Sequence, residues 1–119
     1  PIAFQLERTL IDDLSDVSFP NDPSILWAGS GEIKEPTKWR AWEHGDKITP
    51  TGMDGTVNVS DLLTQWKVPN LVRNSAHVLE DAEGDILWVY ISFESTVLSR
   101  VSRKVKVNLG ETIVSFKAS

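Results

Sequence analysis

The chain has no cysteine among its 119 residues. That absence removes disulfides, thiolate nucleophiles and thiolate metal sites together, so the fold must be held by its core alone. Long apolar runs are missing too. No stretch reaches the roughly 18 residues that a membrane-spanning helix needs, and the N-terminus has neither the basic region nor the apolar run of a signal peptide. The chain therefore reads as soluble, with no membrane partner expected. Histidine is scarce: His44 and His77 stand far apart, and nothing in their spacing makes them converge on a metal or act as a paired base. No serine sits in a Gly-x-Ser-x-Gly elbow, and Gly29-Ser30-Gly31 is too short to cradle a phosphate or open a dinucleotide fold. No catalytic residue, metal ligand or cofactor is assigned.

What is present is enough for one core. The chain is 40% hydrophobic and carries 12 basic against 17 acidic residues, a formal charge of −5. An acidic balance disfavours a phosphate backbone as partner, so nucleic acid is set aside. The balance is uneven, with 5 basic and 11 acidic side chains in residues 1–65 but 7 and 6 in residues 66–119.

The longest run of β-branched and aromatic residues is Ile86-Leu-Trp-Val-Tyr-Ile-Ser-Phe93. It reads as a central strand. Alternation puts Leu87, Val89, Ile91 and Phe93 on one face and Ile86, Trp88 and Tyr90 on the other, so both faces must be covered. Residues 76–80, a loop at 81–85 with Gly84 free to take positive φ, and this strand make a hairpin. Val101, Val105, Val107 and Leu109 then alternate with polar residues, Arg103 being the exception, and Thr112–Lys117 closes a meander whose last strand is placed at an edge. Ser60 is expected to cap a two-turn helix through Trp66 that Pro69 ends. Earlier, residues 1–17 read as a strand or arm followed by a helical turn around Leu10–Leu14, Ser18–Ser24 as a loop, Ile25–Trp27 as a strand and Lys47–Asn58 as a long surface loop. The fold class is mainly β, bordering on α+β: a small single domain over residues 1–119, with an antiparallel sheet or sandwich, a C-terminal β-meander and one or two short helices.

Carboxylates cluster at Asp12, Asp13 and Asp16 and around the hairpin at Glu80, Asp81, Glu83 and Asp85. The second cluster offers oxygen ligands but not the ligand order of a calcium loop, and reads as a solvated turn. The opening Pro1-Ile2-Ala3 resembles the start of the tautomerase superfamily, which implies an N-terminal proline acting as base or nucleophile. That superfamily continues with a long helix and a parallel strand, whereas this chain breaks at Phe19-Pro20.

Five tryptophans are the compositional oddity. Trp66 and Trp88 fall at core positions, and Trp27 fits core or surface. Trp39 and Trp42 flank Arg40, lie beside His44 and precede the polar loop; three residues apart, they share a face if helical and take opposite faces in a strand. Aromatic and arginine side chains of this kind anchor interfaces, so Trp39, Arg40, Trp42 and His44 are the candidate binding residues. The resulting expectation is a non-enzymatic structural or assembly module, binding itself as a homo-oligomer or another protein, of a type that suits a viral or phage subunit. A carbohydrate-binding domain with a tryptophan platform is the alternative, and a small enzyme using Pro1 or His44 the third reading.

Overall fold

The computed structural model describes residues 4–11, 21–31, 33–52, 55–105, 107 and 112–119. Its strands are β1 (Leu6–Ile11), β2 (Ile25–Gly29), β3 (Lys38–Ala41), β4 (Lys47–Ile48), β5 (Val57–Asn58), β6 (His77–Glu80), β7 (Ile86–Phe93), β8 (Thr96–Val101) and β9 (Ile113–Ala118), with a helix α1 (Val59–Gln65) and a 3-10 turn (Asn70–Ser75) between β5 and β6. They form antiparallel sheets in the orders β3-β6-β7-β8, β1-β9-β2 and β4-β5. The mainly β antiparallel class expected from sequence is what the structure shows.

As its composition requires, β7 is covered on both sides. On one side Leu79, Trp88 and Tyr90 pack with Leu26 and Ala28 of β2 and Val114, Phe116 and Ala118 of β9. On the other, Val78, Val89 and Ile91 pack with Leu62 and Leu63 of α1, Val68, and Ile48 of β4. The result is three layers: the three-stranded sheet, the four-stranded sheet, and a cover of helix, turn and small ribbon. Strict alternation along β7 fails at one place. Leu79 pairs with Trp88 while Glu80 pairs with Ile86, so Leu87 is the extra residue of a β-bulge. Leu87 thereby joins Trp88 in the first core, and Ile86 joins Val89 and Ile91 in the second.

Several expectations are corrected. Strand β9 is the middle strand of its sheet rather than an edge; Ile113, Val114, Phe116 and Ala118 are all buried, which an edge facing water would not allow. Leu10 and Ile11 belong to edge strand β1 rather than a helical turn, held in ladder pairing with Val114 and Ile113; residues 12–20 lie outside the described ones, Asp12, Asp13 and Asp16 among them, as does Pro1. The supposed loop after Lys47 contains the β4–β5 ribbon. Strand β8 stops at Val101, and the chain turns at Arg103 and Lys104. The N-cap of α1 is Asn58 without a side-chain cap bond, because the helix already begins at Val59. The helix ends in a Schellman arrangement: Val68 N–H donates to Leu63 C=O, Lys67 N–H donates to Thr64 C=O, and Lys67 takes φ 58°.

The β6–β7 hairpin loop is closed by a buried charge. Asp81 is fully shielded, and its Oδ1 accepts the backbone N–H groups of Glu83 (3.0 Å) and Asp85 (2.9 Å). Its Oδ2 accepts the Lys104 ammonium at 2.6 Å, which also reaches Asp85 at 2.7 Å. Burial alone would raise the Asp81 pKa; the Lys104 hydrogen bond and the two amides outweigh it and hold the carboxyl below its ordinary value. The loop expected to be a solvated turn is thus anchored to the segment after β8, with Gly84 at φ 88° making the turn.

Two outcomes follow from this packing. Because the cores lie on opposite faces of one sheet, Leu63→Ala should cost about 2–4 kcal/mol and Phe116→Leu about 1–2 kcal/mol in urea unfolding, and the double variant should lose their sum to within about 0.5 kcal/mol. The lowered carboxyl of Asp81 stabilises the fold above the ordinary aspartate pKa, and that contribution is lost as pH falls through the depressed folded-state value. Thermal melts between about pH 6 and about pH 2.5, a range needed to span both values, should show Asp81→Asn less stable at neutral pH and flatter toward acid; equal acid slopes would refute the anchor.

Candidate functional site

The four candidate binding residues lie on β3 and the turn that follows, but they do not form one platform. In the strand, the three-residue spacing sends the tryptophans to opposite faces of the sheet. Trp39 packs into the first core, at 5.2 Å from the His77 ring and 5.6 Å from Trp88, and its indole N–H donates to Phe4 C=O. Trp42 packs against the second core, donates to Arg73 C=O at 2.7 Å, and meets the His44 ring edge-on at 4.8 Å. His44 is exposed on the turn; His77 is buried on β6 with its Nδ1 2.8 Å from Ser75 C=O. Among the described residues no group of three or more histidine or acidic side chains is placed to hold a metal.

Arg40 has a constructive role. Its guanidinium grips both oxygens of Asp46 at 2.9 Å each and reaches Glu80 at 3.2 Å. Asp46 in turn accepts the Glu43 N–H at 2.7 Å, and its carbonyl accepts from Val59 N–H. Burial opposes ionisation of Asp46, but the Arg40 fork and the Glu43 amide outweigh it and lower its pKa; the same pairing raises that of Arg40. A bidentate pair with its lone pairs filled fixes geometry as well as charge. It sets the turn of residues 43–46 and so the starting point of the β4–β5 ribbon.

The ribbon forms one wall of a cleft of about 260 Å³ lined by Lys47, Thr49, Asp85, Ile86, Ser102, Arg103 and Lys104. The opposite wall is the turn after β8, tied to the ribbon by Arg103 N–H to Thr49 C=O (2.8 Å), Thr51 N–H to Val101 C=O (3.0 Å) and a bridge between Pro50 and Ser102. The floor is the start of β7, where Ser102 N–H donates to Leu87 C=O at the bulge. Three cations and two hydroxyls converge here. Lys104 is committed to Asp81 and Asp85, while Lys47 and Arg103 are exposed and have no ion-pair partner among the described residues. Ser102 Oγ accepts the Lys104 backbone N–H at 3.0 Å, which leaves its hydrogen available to an acceptor. Such a surface suits an anion that brings several oxygens. Sequence reading missed these residues, although one sign was visible: Arg103 is the position where the alternation of residues 101–109 breaks, and a cation at an inward position marks a turn.

No protein-family model matches the chain. Curated relatives do match. A tRNA(Ile)-lysidine synthase of Bacillus thuringiensis subsp. konkukian is 30% identical over 81 residues, 67% of this chain and 17% of that protein. One from Lactiplantibacillus plantarum is 43% identical over 58 residues, 49% of this chain and 13% of that protein. The chain thus spans less than a fifth of the length of these relatives. Among solved structures, that of the TILS C-terminal domain superposes with a TM-score of 0.70 at 17% identity, over 97% of this chain and 84% of the other. An N-terminal fragment of the phenylalanyl-tRNA synthetase β-subunit from Pyrococcus horikoshii gives 0.59 at 18% identity, over 80% of this chain and 28% of the other. At these identities the two structures speak for the fold, which this chain shares. The sequence matches overturn the expectation of a non-enzymatic structural or assembly module in a viral or phage particle, because the relatives are synthases and therefore enzymes. The sugar platform does not stand either, since Trp39 and Trp42 occupy opposite sides of the sheet. The net charge of −5 does not exclude a nucleic-acid partner, because it sums the whole chain, whereas the field at a cleft is set by the few charges around it; the relatives carry tRNA in their names.

Proposed function

We propose that this chain is a tRNA-contacting part of a tRNA-modifying enzyme of the tRNA(Ile)-lysidine synthase type. The observation that carries this reading is the 81-residue match at 30% identity, which takes in two thirds of the chain. Support comes from the fold, whose solved counterparts include a piece of another protein named for tRNA. The cleft supports it chemically, because cations and hydroxyls at the meeting of three segments suit phosphate oxygens.

In such an enzyme, contacts far from the reacting base still raise the rate. Binding energy from a non-reacting part of the substrate offsets the entropy of orienting the reacting part. The rigid floor of this cleft suits such a contact, since its walls are cross-linked by backbone hydrogen bonds and rest on a strand buried on both faces. Of the four candidate binding residues, Arg40 enters this reading as a positioning residue, holding Asp46 and hence the turn that leads into Lys47.

The chain titrated with a tRNA(Ile) transcript should show saturable binding with a Kd of about 1–100 μM near physiological salt, tightening steeply as salt is lowered. Filter retention or the fluorescence of the five tryptophans reads it. Failure to bind at about 50 mM salt would overturn the reading.

A further inference from the structure

We infer that the cleft between the β4–β5 ribbon and the turn after β8 seats the phosphodiester backbone of RNA, with Lys47 and Arg103 as the gripping cations and Asp85, through Lys104, as a restraint on its affinity. This rests on the reading of the chain as a tRNA-contacting domain and names the atoms that would make the contact.

Position and pairing carry the inference. Lys47 and Arg103 come from different segments, yet the Arg103 N–H to Thr49 C=O bond and the bridge between Pro50 and Ser102 fasten their walls together. Two cations held on a rigid frame lose less entropy on binding than two on separate loops. Both are exposed and without an ion-pair partner among the described residues, whereas Arg40 is taken up by Asp46 and Glu80, Arg8 by Glu35, and Lys104 by Asp81 and Asp85. Thr49 and Ser102 add hydroxyls on the same lining. The Thr49 hydroxyl is shared with Thr56 at 3.0 Å and Ser102 is buried, so the two cations are the groups that reach furthest toward a ligand. Among the described lining residues Ile86 alone is apolar and none is aromatic, which suits a charged backbone better than a stacked base.

Asp85 is the element that a simple basic patch would lack. It lines the cleft, is exposed, and faces the bound phosphate with a like charge. Lys104 offsets that charge from below, held in place by the buried Asp81. The cleft therefore keeps a cation that is only partly available. Removing the Asp85 carboxylate leaves Lys104 anchored on Asp81, with Glu83 at 3.8 Å, and frees the donor it gave to Asp85 for the ligand.

The test measures tRNA(Ile) affinity of the 119-residue chain across a salt series, for wild type, the Lys47→Ala/Arg103→Ala double variant, Asp85→Asn, and Lys117→Ala on strand β9 as a surface control. The double variant should bind tenfold or more weakly at low salt, and the slope of log K against log salt should fall in magnitude by about 1.4–1.8, the release expected for two phosphate contacts. Asp85→Asn should bind about threefold to tenfold more tightly, with the gain vanishing at high salt. Lys117→Ala should match wild type. Thermal melts check that the variants remain folded. If wild type binds tRNA but the double variant binds equally well, the cleft assignment is wrong and the tRNA reading stands. If wild type does not bind, both fall. Unchanged or weaker binding by Asp85→Asn overturns the restraint. Stronger binding to duplex DNA of equal length, or displacement of tRNA by millimolar inorganic phosphate alone, would reassign the cleft to another anion and overturn the RNA assignment.

Discussion

Everything in this molecule depends on a strand that cannot meet water on either face. From Ile86 to Ile91 every residue of β7 is buried. A sheet built around such a strand is stable only if both its faces are roofed, and two kinds of roof are used: a second sheet on one side, a helix with a turn and a ribbon on the other. At about 25 cal/mol per Å² of apolar area withdrawn from water, this double burial dominates the favourable side of folding. The absence of cysteine is the complement of that arrangement, since a core of this extent needs no covalent staple.

The cleft is a by-product of how the second roof is joined to the sheet. At the bulge Leu87 C=O accepts from Ser102 N–H, which carries the β7–β8 ladder one residue past Val101 before the chain turns at Arg103 and Lys104. The chain just after β4 bridges to Ser102 at Pro50, and the hairpin loop is tied to the same turn through Asp81 and Lys104. Three segments distant in sequence are thus fastened at one corner by backbone bonds and one buried ion pair. A buried pair of this kind gives little net stability but is costly to break from one side, which makes it a device for fixing position.

What could be read from sequence and what could not divide along this line. The β6–β7 hairpin, the positive φ of Gly84, the two-sided burial of β7 and the short helix before Pro69 all follow from local pattern, because periodicity and turn chemistry act over a few residues. The central place of β9 was not legible, since pairing between residues 6–11, 25–29 and 113–118 is decided by partners about a hundred positions apart. The bulge was hidden because Ile86, Leu87 and Trp88 are all apolar, and alternation carries no signal when both faces are buried. Trp39 and Trp42 stand in the sequence as large aromatics near a polar loop, yet their N–H groups are satisfied by backbone carbonyls that only the fold brings near. Lys47 and Arg103 are 56 positions apart and each alone is an ordinary surface cation.

The proposed contact with RNA is compatible with an acidic chain, because pairing offsets part of the charge before any ligand meets it. Arg40 offsets one of the two charges of Asp46 and Glu80, Lys104 one of those of Asp81 and Asp85, and Arg8 that of Glu35. What a polyanion meets at the corner between ribbon and turn is the remainder of that pairing. With a screening length of about 8–10 Å at physiological salt, carboxylates elsewhere on the surface contribute little there. The surplus of acid then has a consequence of its own: it repels the many anionic surfaces that offer no close fit, and lets only a ligand that reaches into the corner gain from Lys47 and Arg103. Local attraction set against global repulsion is one way for a small domain to prefer a shaped nucleic acid over any nucleic acid.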